Sequence, residues 1–102
     1  MLVLPIKRKW FDMILSGEKK EEYRDISAYW ITRLHKYFPM YLHSCFPTGG
    51  VAECVKFRNG YRKDSPSFCA LCELVDVREG RPEWGAEPGK KYYVLKIIEI
   101  KR

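Results

Sequence analysis

A short charged stretch, Gly17 to Arg24, carries the residues whose types and spacing best suit chemistry. It reads GEKKEEYR and places a lysine, a carboxylate and a guanidinium close together, at Lys19, Glu22 and Arg24. A lysine donates hydrogen bonds, and it acts as a general base when burial lowers its pKa. A carboxylate accepts hydrogen bonds from a base amino group, while a guanidinium binds phosphate or carbonyl oxygens. The stretch therefore predicts a site for a polar ligand.

Each of these residues also has a plain structural explanation. Lys19 follows a predicted helix, where its charge would complement the helix dipole by about 0.3–1 kcal/mol. Glu22 and Arg24 alternate on one face of a predicted strand, where a surface ion pair contributes about 0.2–1 kcal/mol. Residue types alone leave both explanations open.

A second group, from Arg58 to Lys63, surrounds an aromatic ring with cations. This pattern suits single-stranded nucleic acid, because a base can stack on Tyr61 while phosphates meet the cations. Arg58 and Asn59 add a guanidinium and an amide to the same group. The alternative is a solvated loop tip without a ligand.

The apolar periodicity and the turn residues predict the elements that must position these groups. Two helices are expected, over Lys7–Ser16 and Ser27–Phe38, with Gly17 ending the first and Ser27 capping the second. The expected strands are Met1–Ile6, Lys20–Arg24, Met40–Phe46, Val51–Arg58, Phe68–Arg78 and Tyr92–Ile100. Pro47–Gly50 is expected to be a turn or an insertion, and Tyr61–Ser67 and Glu79–Lys91 are expected to be loops.

The order of these elements predicts the fold class. The connections between the late strands are too short for helical crossovers, so most strand pairing should be antiparallel. We expect an α+β fold with a small, curled or barrel-like sheet. At 102 residues the chain is expected to form a single domain.

The formal net charge of +6 favours an anionic partner such as RNA or a nucleotide, although a basic surface also occurs without one. No apolar run approaches the roughly 18 residues of a membrane span, and the first residues do not resemble a signal peptide. We therefore expect a cytoplasmic protein with no membrane partner. Nothing in the sequence indicates the oligomeric state.

The four cysteines are expected to be reduced thiols in the cytoplasm. Cys69 and Cys72 have the spacing of a zinc-binding pair, but they fall in a predicted strand, where residues three apart point to opposite faces. Zinc pairs of this spacing normally lie on a turn. The sequence therefore predicts neither a metal site nor a cofactor.

The charged stretch also resembles a known family. Gly17, Lys19, Glu22 and Arg24 match the Gly-x-Lys-x-x-Glu-x-Arg signature of the ASCH domain, a branch of the PUA-like fold. The similarity extends over nearly the whole chain, through the first strand and helix, the aromatic start of the second helix and the run Phe57–Tyr61. It implies a small PUA-like β-barrel of mostly antiparallel strands, with two to three short helices packed against it.

The resemblance implies a function as well as a fold. By analogy with PUA-like domains, a cleft holding Lys19, Glu22, Arg24, Asn59 and Tyr61 would bind RNA, a nucleotide or a modified nucleoside. Arg58 belongs to the same expected ligand-binding set.

A hydrolase is the first alternative, acting on an acylated nucleoside or RNA with Lys19 as base and Glu22 as its partner. One ASCH group that hydrolyses acetylcytidine has a threonine at the position of Glu22, and this departure argues against the same mechanism here. A protein-interaction domain, whose basic face is incidental, is the weaker alternative.

Overall fold

The computed structural model describes residues 1–38 and 52–101 of the chain. Within these two ranges the α-helices and strands follow the predicted order. Their bounds are β1 Leu2–Ile6, α1 Arg8–Leu15, β2 Glu21–Asp25, α2 Ala28–Tyr37, β3 Ala52–Asn59, β4 Ser67–Glu79 and β5 Lys91–Lys101. One turn of 3-10 helix, Pro82–Trp84, lies in the loop between β4 and β5.

The five strands form one curled, mixed sheet in the order β1-β3-β4-β5-β2. β1 pairs with β3 in parallel, and the other three pairings are antiparallel. The β4–β5 register shifts between Leu71 and Cys72 and again between Leu74 and Asp76. Such bulges bend a strand and increase its twist, which helps the sheet to curl. The predicted α+β class with mostly antiparallel pairing is confirmed.

Among the described residues, one apolar cluster joins the sheet to both helices. Leu2, Leu4 and Ile6 supply it from alternate positions of β1, because successive side chains of a strand point to opposite faces. The helices add Phe11 and Ile14 from α1 and Leu34 from α2. The other members are Phe38, Val55, Phe57, Ala70, Cys72, Leu74, Tyr93 and Leu95. β2 gives this cluster no apolar side chain, and its buried Glu22 makes it the polar side of the sheet.

The end of α1 and the start of α2 are formed by the residues that the sequence predicted. Gly17 adopts φ 89° just after α1 and donates its N–H to the Ile14 carbonyl oxygen over 3.0 Å. Glycine suits this left-handed conformation because it has no Cβ. At the start of α2, Ser27 Oγ accepts a hydrogen bond from the Trp30 N–H over 3.2 Å. This contact satisfies one of the free N–H groups of the first helical turn.

The loop predicted over Tyr61–Ser67 is also present, because β3 ends at Asn59 and β4 begins at Ser67. The Asn59 N–H donates to the Pro66 carbonyl oxygen over 2.9 Å and closes this loop. The predicted strand Met40–Phe46, the turn Pro47–Gly50 and the first residue of the strand predicted from Val51 lie outside the described residues. In the ranges 1–38 and 52–101, no helix has the length and apolar character needed to cross a membrane.

Candidate functional site

The charged stretch turns back on α1 before it enters β2. After Gly17, the Lys19 N–H donates to the Met13 carbonyl oxygen over 2.9 Å. This bond holds the Lys19 backbone against the last turn of the helix. The side chain is almost completely buried, with a relative exposure of 1%.

Lys19 Nζ is surrounded by oxygen acceptors and aromatic rings. It donates to the Trp84 carbonyl oxygen over 2.7 Å and lies 3.0 Å from Glu22 Oε1. The ring centroids of Trp10 and Tyr23 lie 5.3 Å and 4.9 Å from the same nitrogen. Aromatic faces attract a cation at these distances. Lys19 therefore connects three separate parts of the chain: α1, β2 and the loop after β4.

Burial lowers the pKa of Lys19, because removal from water disfavours the charged ammonium. The negative charge of Glu22 and its hydrogen bond act in the opposite direction, and the net pKa stays below the usual lysine value of 10.5. A lysine with a lowered pKa meets one requirement of a general base.

Glu22 lies between two cations. Its Oε1 atom faces Lys19, and its Oε2 atom accepts a hydrogen bond from Arg24 Nη2 over 2.5 Å. The residue is only 6% exposed. A buried carboxylate is costly unless it is paired and hydrogen-bonded, and these two contacts offset that cost.

Arg24 is oriented by contacts with β1 and with α2. Its Nη2 atom also donates to the Pro5 carbonyl oxygen of β1 over 3.3 Å. Its guanidinium carbon lies 5.0 Å from the ring centroid of Trp30 in α2. Its Nε atom is buried and has no hydrogen-bond partner in the described part of the chain. Arg24 therefore keeps donor capacity that its protein contacts do not use.

A second charged cluster occupies the neighbouring positions of β2. Glu21 accepts two hydrogen bonds from Arg78, over 2.6 Å and 3.2 Å, and one from the Tyr23 hydroxyl over 2.7 Å. Burial raises the pKa of Glu21, but the bonds from Arg78 and Tyr23 outweigh this effect and the net pKa is lowered. The Tyr23 oxygen also accepts the Arg81 N–H over 3.0 Å. This cluster attaches the loop after β4 to β2.

The loop after β4 packs closely on the aromatic residues around Lys19. A Cβ atom at Gly85 would lie 3.0 Å from the Trp10 ring, and one at Gly80 would lie 2.7 Å from the Tyr23 ring. Gly85 also adopts φ 102°, which favours glycine. Two glycines thus allow the loop to approach Trp10 and Tyr23 and to bring the Trp84 carbonyl oxygen to Lys19.

A cavity of about 400 Å³ opens beside Glu22 and Arg24. Its size lies within the range of small-molecule sites, roughly 300–1,000 Å³. Its lining combines the two charged residues with aromatic rings from several elements. The lining residues are Pro5, Ile6, Lys7, Trp10, Glu22, Tyr23, Arg24, Asn59, Gly60, Tyr61, Trp84, Gly85 and Tyr92. Apolar walls with a few converging polar groups are typical of a site for a small organic ligand.

Four of the six residues predicted from the sequence, Glu22, Arg24, Asn59 and Tyr61, line this cavity. Tyr61 lines the cavity and is nevertheless 86% exposed to solvent. Lys19 is not part of the lining and lies behind Glu22.

Arg58 is also absent from the lining. It alternates with Asn59 along β3, so its side chain points to the other face of the strand. Its Nε atom is buried without a partner among the described residues.

The sequence interpretation missed several aromatic contributors. Trp10 was assigned only to the apolar face of α1, and Trp84 and Tyr92 were given no role, yet all three line the cavity. Trp84 had one available signal, since a large aromatic residue is unusual in a polar loop rich in glycine and proline. Trp30 does not line the cavity and instead packs against the core and Arg24.

Within residues 1–38 and 52–101, no group of three or more His, Cys, Asp or Glu side chains is placed to hold a metal ion. Cys54, Cys69 and Cys72 are free cysteines, and Cys45 lies outside the described residues. Burial raises the pKa of the Cys72 thiol to about 12, so this thiol is not an activated nucleophile.

A comparison of the chain with protein-family models, curated proteins and solved structures found no match.

Proposed function

We propose that the protein binds a single nucleobase in the cavity beside Glu22 and Arg24, as part of RNA, a nucleotide or a modified nucleoside. One observation carries the proposal: a cavity of about 400 Å³ in which a buried carboxylate and a partly buried guanidinium adjoin several aromatic rings. Rings offer a stacking surface for a flat base, and the charged pair offers hydrogen bonds to its edge. The net charge of +6 favours a ligand that carries phosphates.

The family assignment forms part of this proposal. The Gly17–Arg24 motif supports membership of the ASCH domains, and the curled five-stranded sheet is compatible with a small PUA-like barrel. The cytoplasmic location expected from the sequence belongs to the same proposal.

Tyr61 provides the most direct test, because it lines the cavity and is 86% exposed. Stacking of one base on an aromatic side chain contributes about 1–3 kcal/mol. We expect Tyr61→Ala to weaken the binding of a nucleoside by about 5- to 150-fold, measured by isothermal titration calorimetry.

Tyr29→Ala is the matched control, since Tyr29 is also exposed but does not line the cavity. The control should bind as the wild-type protein does. Absence of binding to nucleosides, nucleotides and short RNAs at low salt would refute the proposal, as would equal effects of the two substitutions.

A hydrolase in the same cavity is the second candidate, and the lowered pKa of Lys19 beside Glu22 favours it. The burial of Lys19 makes it the less supported candidate, because a general base must reach the proton it removes. Time-resolved product analysis with acylated nucleosides and RNA tests it. Turnover that is lost in Lys19→Ala, in a variant that still folds, would favour the hydrolase.

A further inference from the structure

We infer that the base held in the cavity is guanine, recognised on its Watson–Crick edge by Glu22 and Arg24. This inference rests on the proposed function and specifies its ligand. It depends on the order of hydrogen-bond donors and acceptors that these two side chains present.

Glu22 presents only acceptors. Each of its oxygens already faces one cation, at Lys19 or Arg24. A carboxylate oxygen has two lone pairs, so each oxygen can accept one more hydrogen bond. Glu22 also lines the cavity. Its two free acceptor positions match a ligand that carries two adjacent N–H donors.

Arg24 presents only donors, because a guanidinium has five N–H groups and no acceptor. Its Nη2 atom is taken up by Glu22 and Pro5 and its Nε atom is buried, so Nη1 is the atom left to donate into the cavity that Arg24 lines. The contact of 2.5 Å with Glu22 keeps the two groups adjacent. The ligand that fits both side chains therefore carries an acceptor next to its two donors.

Guanine alone among the common bases has this pattern on its Watson–Crick edge. It presents a carbonyl oxygen, then a ring N–H, then an amino group. Uracil has a single N–H between two carbonyl oxygens, so one Glu22 oxygen would face an acceptor. Adenine and cytosine each have an amino group next to a ring nitrogen that accepts, so each offers one donor group to the carboxylate.

The aromatic lining agrees with a purine. Trp10, Tyr61 and Trp84 line the cavity together with the charged pair. A purine has a larger flat surface than a pyrimidine, so it covers more of these rings. The lining also includes Asn59, whose amide both donates and accepts and therefore does not oppose any base.

Nucleoside titrations of the unmodified protein test the inference without a mutation. Isothermal titration calorimetry would compare guanosine with inosine, adenosine, cytidine and uridine. Inosine differs from guanosine only by the missing amino group. A bidentate contact favours the correct base by about 5- to 150-fold. Inosine cannot complete this contact with Glu22, so we expect it to bind more weakly than guanosine by this factor.

Glu22→Gln provides the complementary test, because the amide keeps the shape but replaces one acceptor with a donor. We expect it to weaken guanosine binding and to reduce the difference between guanosine and inosine. Circular dichroism would establish that the variant is folded. If it is not folded, the comparison of guanosine with inosine on the unmodified protein decides the question.

The outcomes separate this inference from the proposed function. Nucleoside binding that does not prefer guanosine, or that is equal for guanosine and inosine, would overturn the guanine assignment and leave the proposed function standing. Binding of no nucleoside, nucleotide or RNA would overturn both.

Discussion

Lys19 is the residue on which the arrangement of the site depends. Its ammonium group is shielded from water and contacts a backbone carbonyl oxygen, a carboxylate and two rings. Lys19 is absent from the cavity lining, so in the proposed function it would act on a ligand only through Glu22. It holds the carboxylate in place and contributes positive charge beneath it.

We predict that Lys19→Met lowers the free energy of unfolding by about 1–3 kcal/mol. This is the usual cost when a buried polar group loses its hydrogen-bond partner, and here the Trp84 carbonyl oxygen loses its donor. Urea denaturation followed by circular dichroism measures the change. The exposed neighbour Lys20, replaced by Met, is the control and should change stability by less than about 0.5 kcal/mol. Equal effects of the two substitutions would contradict the assigned role of Lys19.

The raised pKa of Tyr23 leads us to predict that the protein loses stability in alkaline solution. Burial raises the pKa of Tyr23 above the usual value of 10.0, and its hydrogen bond to Glu21 acts in the same direction. Below about pH 10 the hydroxyl is neutral in both states, so its contribution does not change. Above that pH the unfolded chain loses the proton and the folded protein keeps it, and stability falls as pH rises.

We therefore expect Tyr23→Phe to lose less stability than the wild-type protein between about pH 10 and 11. The difference should be at most about 1.4 kcal/mol per pH unit, reduced by solvent screening because the side chain is only partly buried. Urea denaturation at a series of pH values measures it. Parallel pH profiles for the two proteins would contradict the prediction.

The positions of Glu22 and Arg24 were predictable from the sequence, whereas the burial of Lys19 was not. Glu22 and Arg24 share a face because they alternate in a strand, which is a local rule. The burial of Lys19 depends on the Trp84 carbonyl oxygen, 65 residues away in the chain. No local pattern specifies a contact over that separation, so Lys19 was expected in the cleft and Trp84 was given no role.

The loop between β4 and β5 is the element that completes the site. It delivers the Trp84 carbonyl oxygen to Lys19 and contributes Trp84 and Gly85 to the cavity lining. Its attachment depends on the close approach of Gly85 to Trp10 and of Gly80 to Tyr23.

We predict that Gly85→Ala is more destabilising than Gly89→Ala. Both glycines have positive φ, at 102° and 80°, so both substitutions strain the backbone. Only at Gly85 would the added Cβ meet a ring, 3.0 Å from Trp10, while nothing lies within 4 Å at Gly89. Thermal unfolding compares the two variants. A melting temperature for Gly85→Ala equal to or above that of Gly89→Ala would show that the loop does not depend on this contact.

At the scale of elements, the helices and strands were predictable because their signals are local. Ser27 caps α2 and Gly17 follows α1, and both were identified from residue type and position. The order of the strands in the sheet was not predicted. The parallel pairing of β1 with β3 joins segments that are distant in the sequence, and parallel strands cannot be joined by a short hairpin turn that would set their register.

For the whole molecule, the net charge of +6 leads us to predict that the binding of RNA depends on salt concentration. A nucleoside has no phosphate, so its binding should change little with salt concentration. A short RNA should bind more weakly as salt rises, with a slope of log affinity against log salt of about −0.7 for each phosphate contacted. Fluorescence anisotropy at several salt concentrations measures this slope. The same weak salt dependence for both ligands would contradict a role for the basic surface.

The pairing of the sheet has a consequence for synthesis on the ribosome. β2 hydrogen-bonds to β5, so that Glu21 pairs with Lys96. At about 5–20 residues per second, translation from one to the other takes roughly 4–15 s. During that time Glu22 and Arg24 are already synthesised, but the strand beside them is not. The nascent chain therefore cannot assemble the cavity beside Glu22 and Arg24 until β5 has been translated.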